Sequence, residues 1–135
     1  MDVKKKLIEA IQLNQAGKYQ DAESIIKEIL IKDNRNVDAL RILGEIFLNQ
    51  DNYSNAIHYF EKSLQIFDKQ PILLNNCGFC LLHEGDLEKA SLHFDKAIKL
   101  NPNFEDALFN KALIFEKKGD FVEAINTHKR IKYKV

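Results

Sequence analysis

Apolar positions along this chain of 135 residues recur at spacings of three and four, the period of a buried helical face. Leu74, Cys77, Gly78 and Leu81 share such a face, and "LEKASLHFDKAIKL", Leu87 to Leu100, is amphipathic again. Between these stretches, Glu84-Gly85-Asp86 breaks the pattern. Glycine suits the left-handed residue that ends a helix, and aspartate can cap the next one. Asp120 with Glu123 three residues on predicts a capping box for a later helix. "NPN", Asn101 to Asn103, closes a helix, because proline cannot continue it but tolerates its boundary. No strand pattern interrupts this reading.

The same helix–turn–helix pattern returns every 34 residues without a gap. Gly17, Gly85 and Gly119 fall in one column, with Asp51 in the remaining slot. Ala22, Ala56, Ala90 and Ala124 form a second column, Tyr19, Tyr53, Leu87 and Phe121 a third, and Ala10, Gly44, Gly78 and Ala112 a fourth. Four units follow, 3–36, 37–70, 71–104 and 105–135, with about eight antiparallel helices and an all-α fold. No single helix pair buries its own apolar surface. The units are therefore expected to stack into an α-solenoid, one domain over residues 1–135. Within a unit, Gly78 and Ala90 are expected to face each other, letting two helices approach with no side chain between them. Leu81, Leu87 and Phe94 would fill the flanking space.

Composition narrows the functional classes. Hydrophobic residues at 45% and charged residues at 30% fit a folded, soluble chain. Twenty basic and twenty acidic residues give zero net charge, which argues against nucleic acid as the main partner. Two basic runs, Lys4-Lys5-Lys6 and Lys129, Arg130, Lys132 and Lys134, read as solvated helix faces. The first residues, "MDVKKKLIEAIQLNQAG", lack the apolar run of a signal peptide, and no stretch approaches the roughly 18 apolar residues of a membrane span. A cytoplasmic location, reduced thiols and no membrane partner are expected.

"NNCGFCLLHEGD", Asn75 to Asp86, is the most chemical-looking stretch, with a C-x-x-C pair and His83 three residues later. Phase gives the cysteines another reason. Cys77 occupies the column of Leu43, and Cys80 that of Ile46 and Ile114, so both are expected in the core. A structural zinc needs four ligands, and Cys77, Cys80 and His83 supply three at most. His58, His83, His93 and His128 are scattered over units and columns, and no Gly-rich phosphate loop is present. The expectation is no catalysis, no cofactor and no metal.

The pattern resembles the tetratricopeptide repeat, whose motif is W-x₂-L-G-x₂-Y, then A-x₃-F, then P. The second unit reads Leu40-x₂-Leu43-Gly44-x₂-Phe47, then Ala56-x₃-Phe60. The third reads Leu74-x₂-Cys77-Gly78-x₂-Leu81, then Ala90-x₃-Phe94, then Pro102. Tryptophan is absent. Lys6, Glu9 and Asn34 in the first unit, and Lys111 and His128 in the fourth, depart from the motif as terminal repeats with polar outer faces do.

This resemblance implies a right-handed solenoid whose first helices line a concave groove for a peptide or helical segment. The lining columns hold Lys4, Leu7, Ile8, Ile11; Asp38, Arg41, Ile42, Glu45; Ile72, Asn75, Asn76, Phe79; and Asp106, Phe109, Asn110, Leu113. Asn76 and Asn110 lie one repeat apart, like the asparagine ladder in the tetratricopeptide region of the O-linked GlcNAc transferases, where amides hold peptide bonds. Phe79 and Phe109, with Leu82, Leu113 and Ile72, would add apolar contact or bury against the next helix. Arg41 and Asn76 match two columns of the chaperone-tail clamp, but Glu45, Asp106 and Asn110 replace other clamp residues and disfavour an acidic C-terminal peptide. The expected function is a non-catalytic protein-interaction scaffold, with Asn75, Asn76, Asn110, Arg41, Phe79 and Phe109 as contact residues. The alternatives are self-association into a homo-oligomer through the last unit's uncapped face, and the recognition arm of a larger enzyme continuing beyond Val135.

Overall fold

The computed structural model describes residues 2–131; Lys132, Lys134 and Val135 lie outside the described residues. Among those described there are eight α-helices and no strand. The first helices of the four pairs are α1 (Val3–Gln15), α3 (Val37–Asn49), α5 (Pro71–His83) and α7 (Glu105–Lys117). Their partners are α2 (Tyr19–Lys32), α4 (Tyr53–Ile66), α6 (Leu87–Leu100) and α8 (Phe121–His128). Every first helix begins at the first residue of an expected 34-residue unit, so the repeat period and the helix period agree.

The turns follow the column chemistry. Gly17, Gly85 and Gly119 take φ of 78°, 87° and 79°, and Asp51, in the same column, is held at 56°. Only glycine adopts that region without a Cβ penalty, so the second repeat carries mild strain at Asp51. Asp86 accepts from the Lys89 amide at 3.1 Å and caps α6 as expected. Asp120 sits at the N-cap of α8 but makes no side-chain cap bond, so the expected capping box does not form. Pro71 opens α5, where its missing N–H costs nothing.

The helices group into two compact units, one up to Asp68 and one from Lys69 onward. In the first, Ala10, Ala22, Ile26, Ile29, Ala39, Ile42, Leu43 and Ile46 form a core cluster. The buried Ser63 hydroxyl donates to the Val37 carbonyl at 2.9 Å, tying α4 to the start of α3. In the second unit, Leu73, Leu74, Cys77, Cys80, Phe94, Ala97, Leu108 and Ile114 are buried.

Close helix approach is achieved differently from the expected glycine–alanine contact. A Cβ on Gly78 would lie 2.6 Å from Cε1 of Phe94, and one on Gly44 would lie 2.4 Å from Cδ1 of Phe60. A side chain does intervene: the phenylalanine ring of the second helix rests on bare glycine backbone of the first. Ala90 is buried, but the ring is what the missing Cβ makes room for.

Candidate peptide-binding face

In the second unit, α5 and α7 pack against each other and are bridged by one side-chain hydrogen bond. Asn110 Nδ2 donates to Asn75 Oδ1 at 3.1 Å, with Asn75 buried and Asn110 half-buried. An equivalent bond joins the first helices of the other unit, where Asn49 Nδ2 donates to the buried Asn14 Oδ1 at 3.0 Å. Both bonds span 35 residues, one more than the repeat. Asn110 is thus engaged with Asn75, one position away from its column mate Asn76. Asn76 stands half-buried outside that bond.

Ile72, Asn76, Phe79 and His83 lie at i, i+4, i+7 and i+11, one stripe along α5. Ile72 is 66% exposed, Phe79 half-buried and His83 exposed, its ring 4.4 Å from that of Phe79. On α7, Phe109 is 55% exposed, Leu113 half-buried, and Asp106 exposed in the first turn. The apolar set therefore divides. Ile72 and Phe109 face solvent, whereas Leu82 is buried in the unit. His128 of α8 meets Phe109 edge-on at 6.1 Å and lies 3.3 Å from Glu116, so the motif's missing aromatic is replaced by a polar contact beside Phe109.

The face of the first unit is different in kind. Arg41 reaches Glu45 at 3.0 Å and Asp38 at 3.5 Å, both on its own helix, so its charge is already balanced. Ile42, expected among the lining residues, is instead buried in the core cluster that also holds Ala10 of α1 and Ala22, Ile26 and Ile29 of α2. Ile8 of α1 remains 48% exposed.

Three polar residues in apolar columns are accounted for locally. Lys111 reaches Asp95 at 2.8 Å and also bonds the Ser91 hydroxyl, both on α6. Sequence reasoning missed this bridge, since nothing in the repeat phase places Asp95 opposite Lys111. Lys6 and Glu9 pair on exposed α1 at 3.7 Å. Cys77 and Cys80 are buried thiols with no disulfide. Burial, with the nearby Glu84 charge, pushes the Cys80 pKa from 9.0 up to about 12, so it stays protonated and unreactive near neutrality. Cys77, Cys80 and His83 do not converge on one point among the described residues. No described helix is long and apolar enough to cross a membrane.

Three family profiles, each described as tetratricopeptide repeat, match residues 9–71, 71–104 and 93–126. Human protein O-mannosyl-transferase TMTC1 is 28% identical over 112 residues, 80% of this chain and 13% of that protein. Photosystem I assembly protein Ycf3 of Acaryochloris marina (strain MBIC 11017) is 30% identical over 111 residues, covering 78% of this chain and 66% of the relative. This chain thus spans a small part of the transferase and just under two thirds of the assembly protein. A crystal structure of MamA matches with a TM-score of 0.89 at 23% identity, covering 96% of this chain and 75% of that one. With its helices starting on the 34-residue period and its motif columns matched in succession, the chain belongs to the tetratricopeptide-repeat family.

Proposed function

We propose that residues 1–135 act as one non-catalytic interaction domain in the cytoplasm, taking a protein or peptide segment on the faces of its first helices. The observation that carries this reading is the pair of exposed large apolar side chains, Ile72 and Phe109, on helices bridged by Asn75 and Asn110. These two side chains are what a bound segment would cover. The Ycf3 relative is a photosystem I assembly protein, in keeping with such a role. Zero net charge favours a protein over nucleic acid or an anionic membrane. Within a longer protein such as the transferase relative, the same face would serve as a recognition arm.

In this reading Asn76 offers an amide to the bound segment, Phe79 and Phe109 supply apolar contact, and the Asn75–Asn110 pair fixes the floor between them. Arg41, balanced by Asp38 and Glu45, contributes shape and a polar edge. The test is affinity capture with the full chain against Phe109→Glu. A specific partner retained by the native chain and lost by the variant, with an unchanged circular-dichroism melt, supports the reading. Equal retention by both overturns it.

A second reading has its own observation. Phe121, Val122 and Ile125 on α8 are 65%, 71% and 55% exposed. Self-association through this face would give a molar mass that rises with concentration in light scattering. A constant monomer mass rules it out.

A further inference from the structure

Cys77 meets a different histidine from the one its sequence neighbourhood suggests. Helices α5 and α6 pack against each other, and Cys77 Sγ lies within 4.8 Å of a ring nitrogen of His93. Both side chains are buried. From this pair we infer a metal site in the third repeat, in which the Cys77 thiolate and the His93 imidazole hold a thiophilic closed-shell ion, copper(I) or zinc(II). The site uses neither Asn76 nor Phe109 and is independent of the scaffold reading.

Metal–sulfur and metal–imidazole bonds of about 2.3 and 2.0 Å together span roughly 4.3 Å, so one ion bridges these atoms with small side-chain shifts. The imidazole is preset as a ligand. His93 Nδ1 lies 2.9 Å from the Lys89 carbonyl, which only accepts, so Nδ1 carries the proton and Nε2 the lone pair. That backbone bond fixes tautomer and ring orientation, as the outer-shell partner of a metal-bound histidine does. Thiolate selects copper(I) and zinc among first-row ions, and imidazole suits both. As the metal–sulfur bond forms, the Cys77 S–H proton leaves to solvent. Thiolate, neutral imidazole and copper(I) then sum to zero charge, which suits a buried site, whereas zinc(II) keeps a positive charge and requires further donors. In the second repeat the same two columns hold Leu43 and Tyr59, packed into one core cluster. The fold sets the contact, and the third repeat places ligand atoms on both sides of it.

The full chain, reduced and kept free of oxygen, is titrated with copper(I) against bicinchoninate and with zinc(II) against a chromophoric indicator. Cys77→Val and His93→Tyr each remove one ligand and install the kind of residue that the second repeat carries in that column. Circular dichroism checks that both variants fold. One equivalent of metal is expected in the native chain, with affinity falling at least about a hundredfold in either variant, the upper end of what an outer-shell change costs. Cys80→Ala, which keeps the pair, is expected to bind as the native chain does. X-ray absorption at the metal bound to the native chain, which needs no variant, should show one sulfur together with imidazole nitrogen. The two titrations assign the ion: charge balance predicts tighter copper(I), and tighter zinc(II) with the same residue dependence keeps the site and gives it to zinc. No binding by the native chain, native-like binding by Cys77→Val, loss of metal in Cys80→Ala or two sulfurs at the metal would each overturn the assignment.

Discussion

Asp51 shows how a single column position sets local energetics. Glycine occupies this turn slot in the other three repeats, and Asp51 reaches the same left-handed backbone at a cost. Its carboxylate accepts from the Tyr53 hydroxyl at 3.3 Å, an exposed bond of small worth. Replacing it should therefore help. Asp51→Gly is expected to stabilise the chain by about 0.5–1 kcal/mol, after the entropy glycine adds to the unfolded state, and to raise the melting temperature by roughly 3 °C. Thermal melts of the two chains check this, and a lower melting temperature would mean the Tyr53 bond outweighs the strain. Cys80 makes the opposite point about chemical appearance. Its thiol looks reactive in sequence, yet burial beside Glu84 holds it protonated.

Between helices, the telling feature is a correlation within the chain. The two first helices that carry glycine at the contact, Gly44 and Gly78, meet a phenylalanine, Phe60 and Phe94. Where alanine stands instead, at Ala10 and Ala112, the matching residues are Ile26 and His128. Ring and glycine are two halves of one fit. Gly78→Ala should cost about 1–3 kcal/mol, because the added Cβ overlaps the Phe94 ring, and Phe94→Leu in that background should recover part of the loss. Denaturant titrations of the single and double variants measure the coupling. Simple additivity would show that the ring is free to move away. The helices themselves were legible in sequence, since apolar period, turn glycines and repeat phase all pointed the same way. The Gly78 contact was misassigned to Ala90 because phase gives column membership but not which residue of the facing helix reaches across. For the same reason Asn76 and Asn110 read as rungs of one column, while the bond that forms joins Asn110 to Asn75. Ile42 shares that column and is core, so column identity alone does not decide exposure.

At the scale of the molecule, the repeats give each unit a buried core and leave different chemistry on their first helices. The Asp38–Arg41–Glu45 cluster is charged, with Arg41 held between two carboxylates of its own helix, while Ile72, Phe79 and Phe109 place apolar side chains on the α5–α7 face. That contrast makes the α5–α7 face the better docking surface, and the α8 face with Phe121, Val122 and Ile125 its competitor. The most direct discrimination comes from amide chemical-shift mapping of the isotope-labelled chain titrated with its captured partner. The largest shifts are expected at Ile72, Asn76, Phe79, Phe109 and Leu113, with Phe121, Val122 and Ile125 unmoved. Shifts concentrated on α8, with the α5–α7 face unchanged, would contradict it.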